Sequence, residues 1–152
     1  MNFMEMEMTD KVKPVLSVDF DGVLHRYSKG LHDGSIYDSP TPGAQEFIRK
    51  AQEHFFVMIF TARARNPEMK AEIIEWLDEH GFPEVPVTST KYPSFLWLDD
   101  RCERFTGAFP DPESLLKFQP WNRHDTEATE PGWKCVSDRI LEDLAAEQGT
   151  NI

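Results

Sequence analysis

The chain has 152 residues, of which 39% are hydrophobic and 28% charged, a composition that excludes a disordered, fibrous or disulfide-rich protein and indicates a globular one. Sixteen basic against 27 acidic residues give a formal net charge of −11, which disfavours nonspecific binding to nucleic acid. No apolar run approaches the roughly 20 residues that cross a bilayer. The N-terminal residues MNFMEMEMTDKVK do not resemble a secretory signal, so the cytoplasm is the expected compartment.

The first half of the chain predicts two strands, a helix and a long loop. Residues 15–20 (VLSVDF) are apolar and β-branched and run into Gly22, a pattern typical of a buried strand that meets a turn. Residues 25–42, rich in Gly, Ser, Asp and Pro, predict a loop or small hairpin, which we call the flap. Apolar residues at helical spacing then predict a helix from residue 42 to about residue 53, and residues 55–60 (FFVMIF) predict a second buried strand.

The next segment predicts a capped helix and two further strands. Asn66 and Pro67 are typical of the start of a helix, and Gly81 is typical of its end. Residues 85–87 and 95–98 (FLWL) predict short strands. Strands that alternate with helices favour right-handed crossovers. We therefore expect an α/β fold, a three-layer α/β/α Rossmann-like domain with a mostly parallel sheet.

The pattern is weaker beyond residue 101. Residues 104–106 predict a short edge strand, and residues 111–118 a helix of one or two turns, whereas residues 120–134 predict irregular structure. Ser137 is a suitable cap for a final helix whose acidic residues face water. The apolar residues expected to pack inward from that helix are Ile140, Leu141 and Leu144.

The predicted organisation is one α/β domain with an extension at each end. The domain occupies residues 15–120, with an N-terminal extension at 1–14 and a C-terminal extension at 121–152 whose helix packs on the same domain. Cys102 and Cys135 lack the spacing of a metal site, and reduced thiols are the expected state of both.

Polar residues follow three of the predicted strands. Ligand sites in open α/β sheets lie outside the carboxyl ends of the strands, so these residues are expected to act together. Each of them alone has an ordinary interpretation, as a turn-forming acid, a strand-end threonine or a loop lysine. The set comprises Asp19, Asp21 and Gly22 after the first strand, Thr61 and Arg63 after the second, and Asp99 and Asp100 after the fourth, with Lys91 before it.

The acids of this set predict a divalent metal site. In the extended segment that begins at Asp19, Asp21 lies on the same side as Asp19 while Phe20 points into the core. Gly22 lets the chain turn sharply and bring main-chain N–H groups close to an anion. Carboxylates gathered at one sheet edge repel each other unless a cation lies among them, and hard oxygen ligands suit Mg²⁺.

Four motifs carry a resemblance to a known family. In the order DFDGVLH (residues 19–25), MIFTAR (58–63), a lysine and WLDDR (97–101), the chain resembles the haloacid dehalogenase-like hydrolase superfamily. It is most similar to the small cap-less members from phages and bacteria. The likeness covers residues 15–118, and the DxDG tetrad is its most specific part.

The resemblance implies a role for each motif residue. It implies a catalytic set in which Asp19 is the nucleophile that forms an aspartyl-phosphate, Asp21 is the general acid and base, and Lys91 grips the phosphoryl oxygens together with Thr61. It implies Mg²⁺ as cofactor, with Asp100 as the direct ligand and Asp99 in support. The implied substrate-binding set is Gly22, Thr61, Ala62 and Arg63, and the implied metal set is Asp19, Asp21, Asp99 and Asp100.

The implied activity is hydrolysis of phosphomonoesters, because family members with an acid two residues after the nucleophile are mostly phosphatases. The segments around the motifs leave no room for a cap domain, so the flap alone covers the site. Similar open sites often accept bulky substrates such as polynucleotide ends. We expect a phosphorylated small molecule, a nucleotide or a nucleic-acid 3′ end as substrate, without stable nucleic-acid binding and without a membrane partner. The following arginines are either anion contacts or surface ion-pair partners: Arg26, Arg63, Arg65, Arg101 and Arg104.

Three competing interpretations remain. A catalytically idle binding or structural protein would keep the fold without turnover. A signalling domain phosphorylated on aspartate carries similar residues, but there the acidic pair follows the first strand, so the order of the motifs favours the hydrolase. Trp121 and Trp133 with the acidic tail form either a protein-interaction surface or a segment packed on the core.

Overall fold

The computed structural model describes residues 12–122 and 131–150, and it divides the chain into two compact units. These units are Met1–Cys102 and Glu103–Ile152. The predicted extension at residues 1–14 therefore lies largely outside the described residues. Within the described ranges, no helix has both the length and the apolar character of a membrane span.

A four-stranded parallel sheet forms the centre of the first unit. The strands are β1 Val15–Asp19, β2 Phe56–Phe60, β3 Val87–Thr88 and β4 Leu96–Leu98, in the order β3-β2-β1-β4. The predicted α/β class and parallel sheet are confirmed, and each strand lies within one or two residues of its predicted position. Leu16 of β1 pairs with Val57 of β2 and with Leu96 of β4, so β1 is central.

Two helices and one 3₁₀ turn complete the first unit. Helix α1, Ala44–His54, begins two residues later than predicted, because Gly43, with a left-handed φ of 88°, does not have helical backbone angles. The 3₁₀ turn Ala62–Arg65 directly follows β2 and Thr61. Helix α2, Pro67–Glu79, starts as predicted, because the Asn66 side chain accepts hydrogen bonds from two N–H groups of the first turn.

Both helices pack against the same face of the sheet. The side chains at paired positions Val18 of β1 and Ile59 of β2 are fully buried there, together with Ile48 of α1 and Ile73 of α2. This single cluster is the hydrophobic core of the first unit. The described helices of that unit do not form a layer on the opposite face, so the predicted three-layer arrangement is not confirmed.

The flap is an ordered excursion between β1 and α1. Its ends meet where His25 bridges Pro40 and where Arg26 N–H donates to the Ser39 carbonyl at 3.0 Å. At its far end the Tyr37 hydroxyl accepts a hydrogen bond from Lys29 N–H and donates one to the Gly30 carbonyl, each at 2.7 Å. The flap therefore holds its own shape through internal hydrogen bonds.

The second unit departs most from the sequence predictions. Residues 104–106 form no strand, and the short helix predicted at 111–118 is α3, Pro112–Leu115, capped by Asp111. Helix α4, Pro131–Thr150, begins before the predicted cap Ser137, whose hydroxyl instead donates to the Lys134 carbonyl within the helix.

The expected inward packing of α4 is wrong for the three residues named. The structure exposes 51% of Ile140, 65% of Leu141 and 48% of Leu144. Of the irregular segment predicted at 120–134, residues 123–130 lie outside the described residues and residues 131–134 are helical. Both cysteines are free and exposed, Cys102 in the first unit and Cys135 in the second.

Candidate metal and phosphoryl-transfer site

Three aspartates meet at the carboxyl ends of β1 and β4. The register of these parallel strands pairs Val18 with Leu98, so that Asp19 and Asp99 follow side by side. One carboxylate oxygen each from Asp19, Asp99 and Asp100 lies within 4.8 Å of the others, and all three residues are partly buried. Sheet geometry thus gathers residues that are about 80 positions apart along the chain, as strand pairing allows.

Crowding perturbs the ionisation of two of these acids. Burial, a hydrogen bond with Asp100 and the charges of Asp99 and Asp100 raise the pKa of Asp19 to about 9. Burial and the charge of Asp99 also raise the pKa of Asp100, against a hydrogen bond from the Asp19 side that lowers it. Asp19 and Asp100 therefore share a proton near neutral pH when no cation neutralises them.

Gly22 lies against the Asp100 carboxylate. Its φ is +83°, and a Cβ built there would be 2.6 Å from Cγ of Asp100, closer than any real Cβ contact. Glycine is therefore required both by the left-handed backbone and by the space that Asp100 occupies.

Asp21 does not belong to the group of three aspartates and is bound by two other side chains. Its Oδ1 accepts a hydrogen bond from His25 Nδ1 at 2.8 Å, and its Oδ2 accepts one from Arg63 Nε at 2.6 Å. His25 is fully buried, and 8% of the Arg63 side chain is exposed. The predicted general acid and base is thus oriented through both of its oxygens, whereas the metal role predicted for it remains a prediction.

The 3₁₀ turn after β2 positions the other predicted phosphate-binding residues. Thr61 is buried, and its Oγ1 accepts a hydrogen bond from Arg63 N–H at 3.3 Å. Ala62, the first residue of the turn, is exposed. Arg63 Nη1 donates to the Gly34 carbonyl at 2.7 Å, while Nη2 is buried and has no hydrogen-bond partner. A buried donor without an acceptor is unfavourable, so this group is suited to a ligand oxygen.

Lys91 does not join the acids in the structure. It is exposed, and its Nζ lies 5.4 Å from the centroid of the Trp97 ring, a cation–π distance. Within the described part of the chain no ion pair connects Lys91 to the three aspartates. Trp97 lies on β4, two residues before Asp99, so the amino group is near the site's edge.

Sequence reasoning missed one residue of this site, His25. Its ring is fully buried and packs on Phe20, with a centroid separation of 5.5 Å and an interplanar angle of 25°. The available signal was a lone histidine four residues after Asp21 in the turn that closes β1. The main-chain N–H of Asp38 donates the other hydrogen bond to the ring. This contact joins the two ends of the flap, and no local sequence pattern predicts it.

The chain has no match among protein-family models, curated proteins or solved structures. Its functional assignment therefore depends on the chemistry of the assembled side chains. A group of three hard oxygen donors lies beside a fourth carboxylate that is separately oriented, and a buried guanidinium has an unused N–H group. Such a set can bind a divalent cation and an anionic ligand together.

Proposed function

We propose that this protein is a Mg²⁺-dependent phosphomonoester hydrolase that works through an aspartyl-phosphate on Asp19. The observation that carries the proposal is the convergence of Asp19, Asp99 and Asp100 within 4.8 Å at the strand ends. Asp21, two residues after Asp19, is the oriented acid that the two chemical steps require. The motif resemblance to haloacid dehalogenase-like hydrolases supports the same activity.

The donor set fits Mg²⁺. All three clustered residues offer carboxylate oxygens, the ligands that this ion prefers. Burial, together with the hydrogen bond to Asp100 and the charges of Asp99 and Asp100, raises the pKa of Asp19 to about 9. Asp19, Asp99 and Asp100 would hold the ion, with Asp100 as a direct ligand. When bound, the ion neutralises negative charge on the carboxylates and on the phosphoryl oxygens.

In the first step Asp19 acts as the nucleophile. One of its carboxylate oxygens attacks phosphorus, the bond between phosphorus and the ester oxygen breaks, and an acyl phosphate forms on Asp19. Asp21 gives a proton to the departing oxygen, which leaves as a neutral alcohol. Arg63 Nη2, a buried donor without a partner, and the Thr61 hydroxyl are the groups on the 3₁₀ turn suited to the phosphoryl oxygens.

In the second step Asp21 acts as the base. It accepts a proton from a water molecule as that water attacks phosphorus, and the bond from phosphorus to the Asp19 oxygen breaks. Inorganic phosphate leaves, Asp19 returns as a carboxylate, and Asp21 again holds the proton needed for the next ester. One water and one ester give one alcohol and one phosphate.

The experiment compares aryl and alkyl phosphates in Mg²⁺ and after treatment with EDTA. Wild-type protein should hydrolyse p-nitrophenyl phosphate only with Mg²⁺, and Asp19→Asn should abolish turnover. Asp21→Asn should release a burst of nitrophenol and accumulate phosphoenzyme, because nitrophenolate departs without a proton whereas the second step still needs a base. An alkyl phosphate should show no burst with this variant. Full activity without metal would contradict the proposal.

The same experiment tests the alternative of an idle binding protein. The exposed position of Lys91 over Trp97 is the observation that favours it. An idle protein would bind Mg²⁺ through the aspartates without releasing phosphate from any ester.

Expected substrates are nucleotides and polynucleotide ends in the cytoplasm, so a panel of nucleoside monophosphates, sugar phosphates and 3′-phosphorylated oligonucleotides is the appropriate screen.

A further inference from the structure

The two side chains that hold Asp21 also hold the flap. His25 Nδ1 and Arg63 Nε donate to the two oxygens of Asp21. His25 Nε2 accepts a hydrogen bond from Asp38 N–H at 3.0 Å, and Arg63 Nη1 donates to the Gly34 carbonyl at 2.7 Å. Asp21 is therefore connected to the main chain of the flap at two points, each through one intervening side chain.

We infer that His25 and Arg63 are positioning residues that couple the conformation of the flap to the orientation of Asp21. The inference rests on the proposed role of Asp21 as general acid and base. It assigns to His25 a function that the sequence motifs do not give it, and to Arg63 a function besides phosphate binding. A substrate that displaces the flap would thereby change the orientation of Asp21, the acid that protonates the leaving group.

The hydrogen bonds of His25 determine which of its ring nitrogens carries the hydrogen. A nitrogen that accepts from a main-chain N–H carries no proton, so Nε2 is the bare nitrogen and Nδ1 bears the hydrogen that Asp21 accepts. The ring cannot rotate freely, because it is fully buried with Phe20 at 5.5 Å, Tyr37 at 5.3 Å and Trp76 at 5.7 Å between ring centroids. Movement at Asp38 is thus transmitted to Asp21.

Arg63 provides the second link from a different element. It belongs to the 3₁₀ turn after β2, so it joins the flap and Asp21 to the central sheet. The Gly34 carbonyl that it contacts depends on a turn in which Gly34 has a φ of +82° and its N–H donates to the Leu31 carbonyl at 2.7 Å. A change in that turn would move the carbonyl away from the guanidinium without touching the core.

The flap has left-handed backbone at four positions, two of which are not glycine. Tyr27 and His32 are non-glycine residues with positive φ angles, 58° and 50°, and Gly30 and Gly34 share this left-handed backbone. This backbone conformation is strained for residues other than glycine. Strained residues of this kind are concentrated at functional segments of proteins. The flap thus carries backbone strain at Tyr27 and His32, while His25 fixes its base.

The first test uses two His25 variants. Gln places its terminal amide as far from Cα as Nε2 and can accept from Asp38 N–H, but it has no donor at the Nδ1 position. Asn places its amide donor at the Nδ1 position and has no acceptor for Asp38. The measured quantity is the ratio of kcat/KM for p-nitrophenyl phosphate to kcat/KM for an alkyl phosphate, since only the alkyl ester needs the proton from Asp21.

We expect His25→Gln to raise this aryl-to-alkyl ratio at least tenfold and His25→Asn to raise it less. A role in folding alone would lower both rates equally and leave the ratio at the wild-type value, which would overturn the inference. Thermal unfolding monitors whether these substitutions at a buried position leave the protein folded.

A flap variant keeps the test independent of the core. Gly34→Ala places a side chain at φ +82° where nothing lies within 4 Å, so it should shift the turn and its carbonyl while leaving packing intact. Gly81→Ala is the matched control, with φ +75° and equally open space at the end of α2. Gly34→Ala should raise the aryl-to-alkyl ratio and Gly81→Ala should not. Equal ratios for both variants would contradict the coupling.

A measurement without turnover separates this inference from the proposed function. In Asp21→Ala the His25 ring loses its acceptor, so the amide hydrogens of flap residues 34–39 should exchange with solvent at least tenfold faster than in wild type. Unchanged exchange would overturn the coupling even in an active phosphatase. If wild-type protein releases no phosphate but exchange is faster in the variant, the proposed function fails and the coupling stands.

Discussion

Gly22 and Asp100 occupy adjoining space at the carboxyl edge of the sheet. The Asp100 carboxylate fills the volume that any side chain at position 22 would need, with Cγ 2.6 Å from the position of a Cβ. The turn after β1 therefore determines where an acid from the end of β4 can lie. The glycine of the DxDG tetrad has a packing role in addition to its backbone freedom.

Gly22→Ala should damage the site by moving Asp100. The alanine adds a left-handed strain of roughly 1–2 kcal/mol and forces the carboxylate away from Asp19. We expect at least tenfold weaker Mg²⁺ binding by isothermal titration. Gly43→Ala is the control, because its φ is +88° and nothing lies within 4 Å. Equal Mg²⁺ affinity for both variants would show that Asp100 adapts and that its position is not decisive.

The clustered acids should make the metal-free protein less stable as pH rises. The pKa of Asp19 is about 9 in the folded protein, against 3.8 for an ordinary aspartate such as that of the unfolded chain, so the folded state binds the proton more tightly. The free energy of unfolding should therefore fall between about pH 4 and pH 9. Asp19→Asn should remove part of this slope and stabilise the protein at pH 8 in EDTA by roughly 0.5–2 kcal/mol.

Urea unfolding at pH 5 and pH 8, with EDTA and with Mg²⁺, measures this effect. Mg²⁺ should stabilise the wild type more at pH 8 than at pH 5, because protons compete less strongly for Asp19 at the higher pH. The same pH dependence in wild type and Asp19→Asn would contradict the crowding described here.

Much of the fold and the strand-end acids could be predicted from local patterns. Asp19 ends one mostly apolar run and Asp99 follows another, and such runs mark buried parallel strands whose carboxyl ends meet. The start of α2 could be predicted in the same way, because Asn66 caps the helix and Pro67 is its first residue. These features depend on neighbouring residues in the chain.

The partners of Asp21 could not be predicted in this way. Arg63 is 42 positions away and Gly34 contacts it from within the flap, so both contacts exist only after the chain has folded. The start of α4 was wrong for a related reason: Ser137 has the chemistry of a cap, but Pro131 begins the helix six residues earlier. Local chemistry shows that a residue can cap a helix, not that it does.

Asp38 should stabilise the flap at neutral pH and lose that effect in acid. Burial alone would raise the pKa of Asp38, but hydrogen bonds from the Ser28 hydroxyl and from the N–H groups of Ser28 and Ser39 lower it to about 2. The stabilisation is thus complete above about pH 4 and disappears as pH falls toward 2. After screening by solvent it should be about 1 kcal/mol or less.

Asp38→Asn tests this dependence by urea unfolding at a series of pH values. The variant should be less stable than wild type at pH 7, and the difference should shrink below pH 4. Asp78→Asn, an exposed residue of α2, alters the net charge equally and should show no such difference. A gap between Asp38→Asn and wild type that is constant with pH would exclude the carboxylate as its cause.

Substitutions of Lys91 and Thr61 should differ in how they affect catalytic activity and the free energy of unfolding. Lys91 is exposed over Trp97, so Lys91→Ala should change the free energy of unfolding by less than about 1 kcal/mol. If its amino group reaches the phosphoryl oxygens during turnover, kcat/KM should fall roughly 10²–10³-fold. Thr61 is buried and caps the 3₁₀ turn. Thr61→Ala should therefore lower stability by about 1 kcal/mol, with a loss of kcat/KM of roughly tenfold. Lys70→Ala, on the exposed side of α2, controls for the lost charge. Wild-type kcat/KM for Lys91→Ala would assign Lys91 to surface packing on Trp97 and leave phosphoryl binding to Thr61 and Arg63.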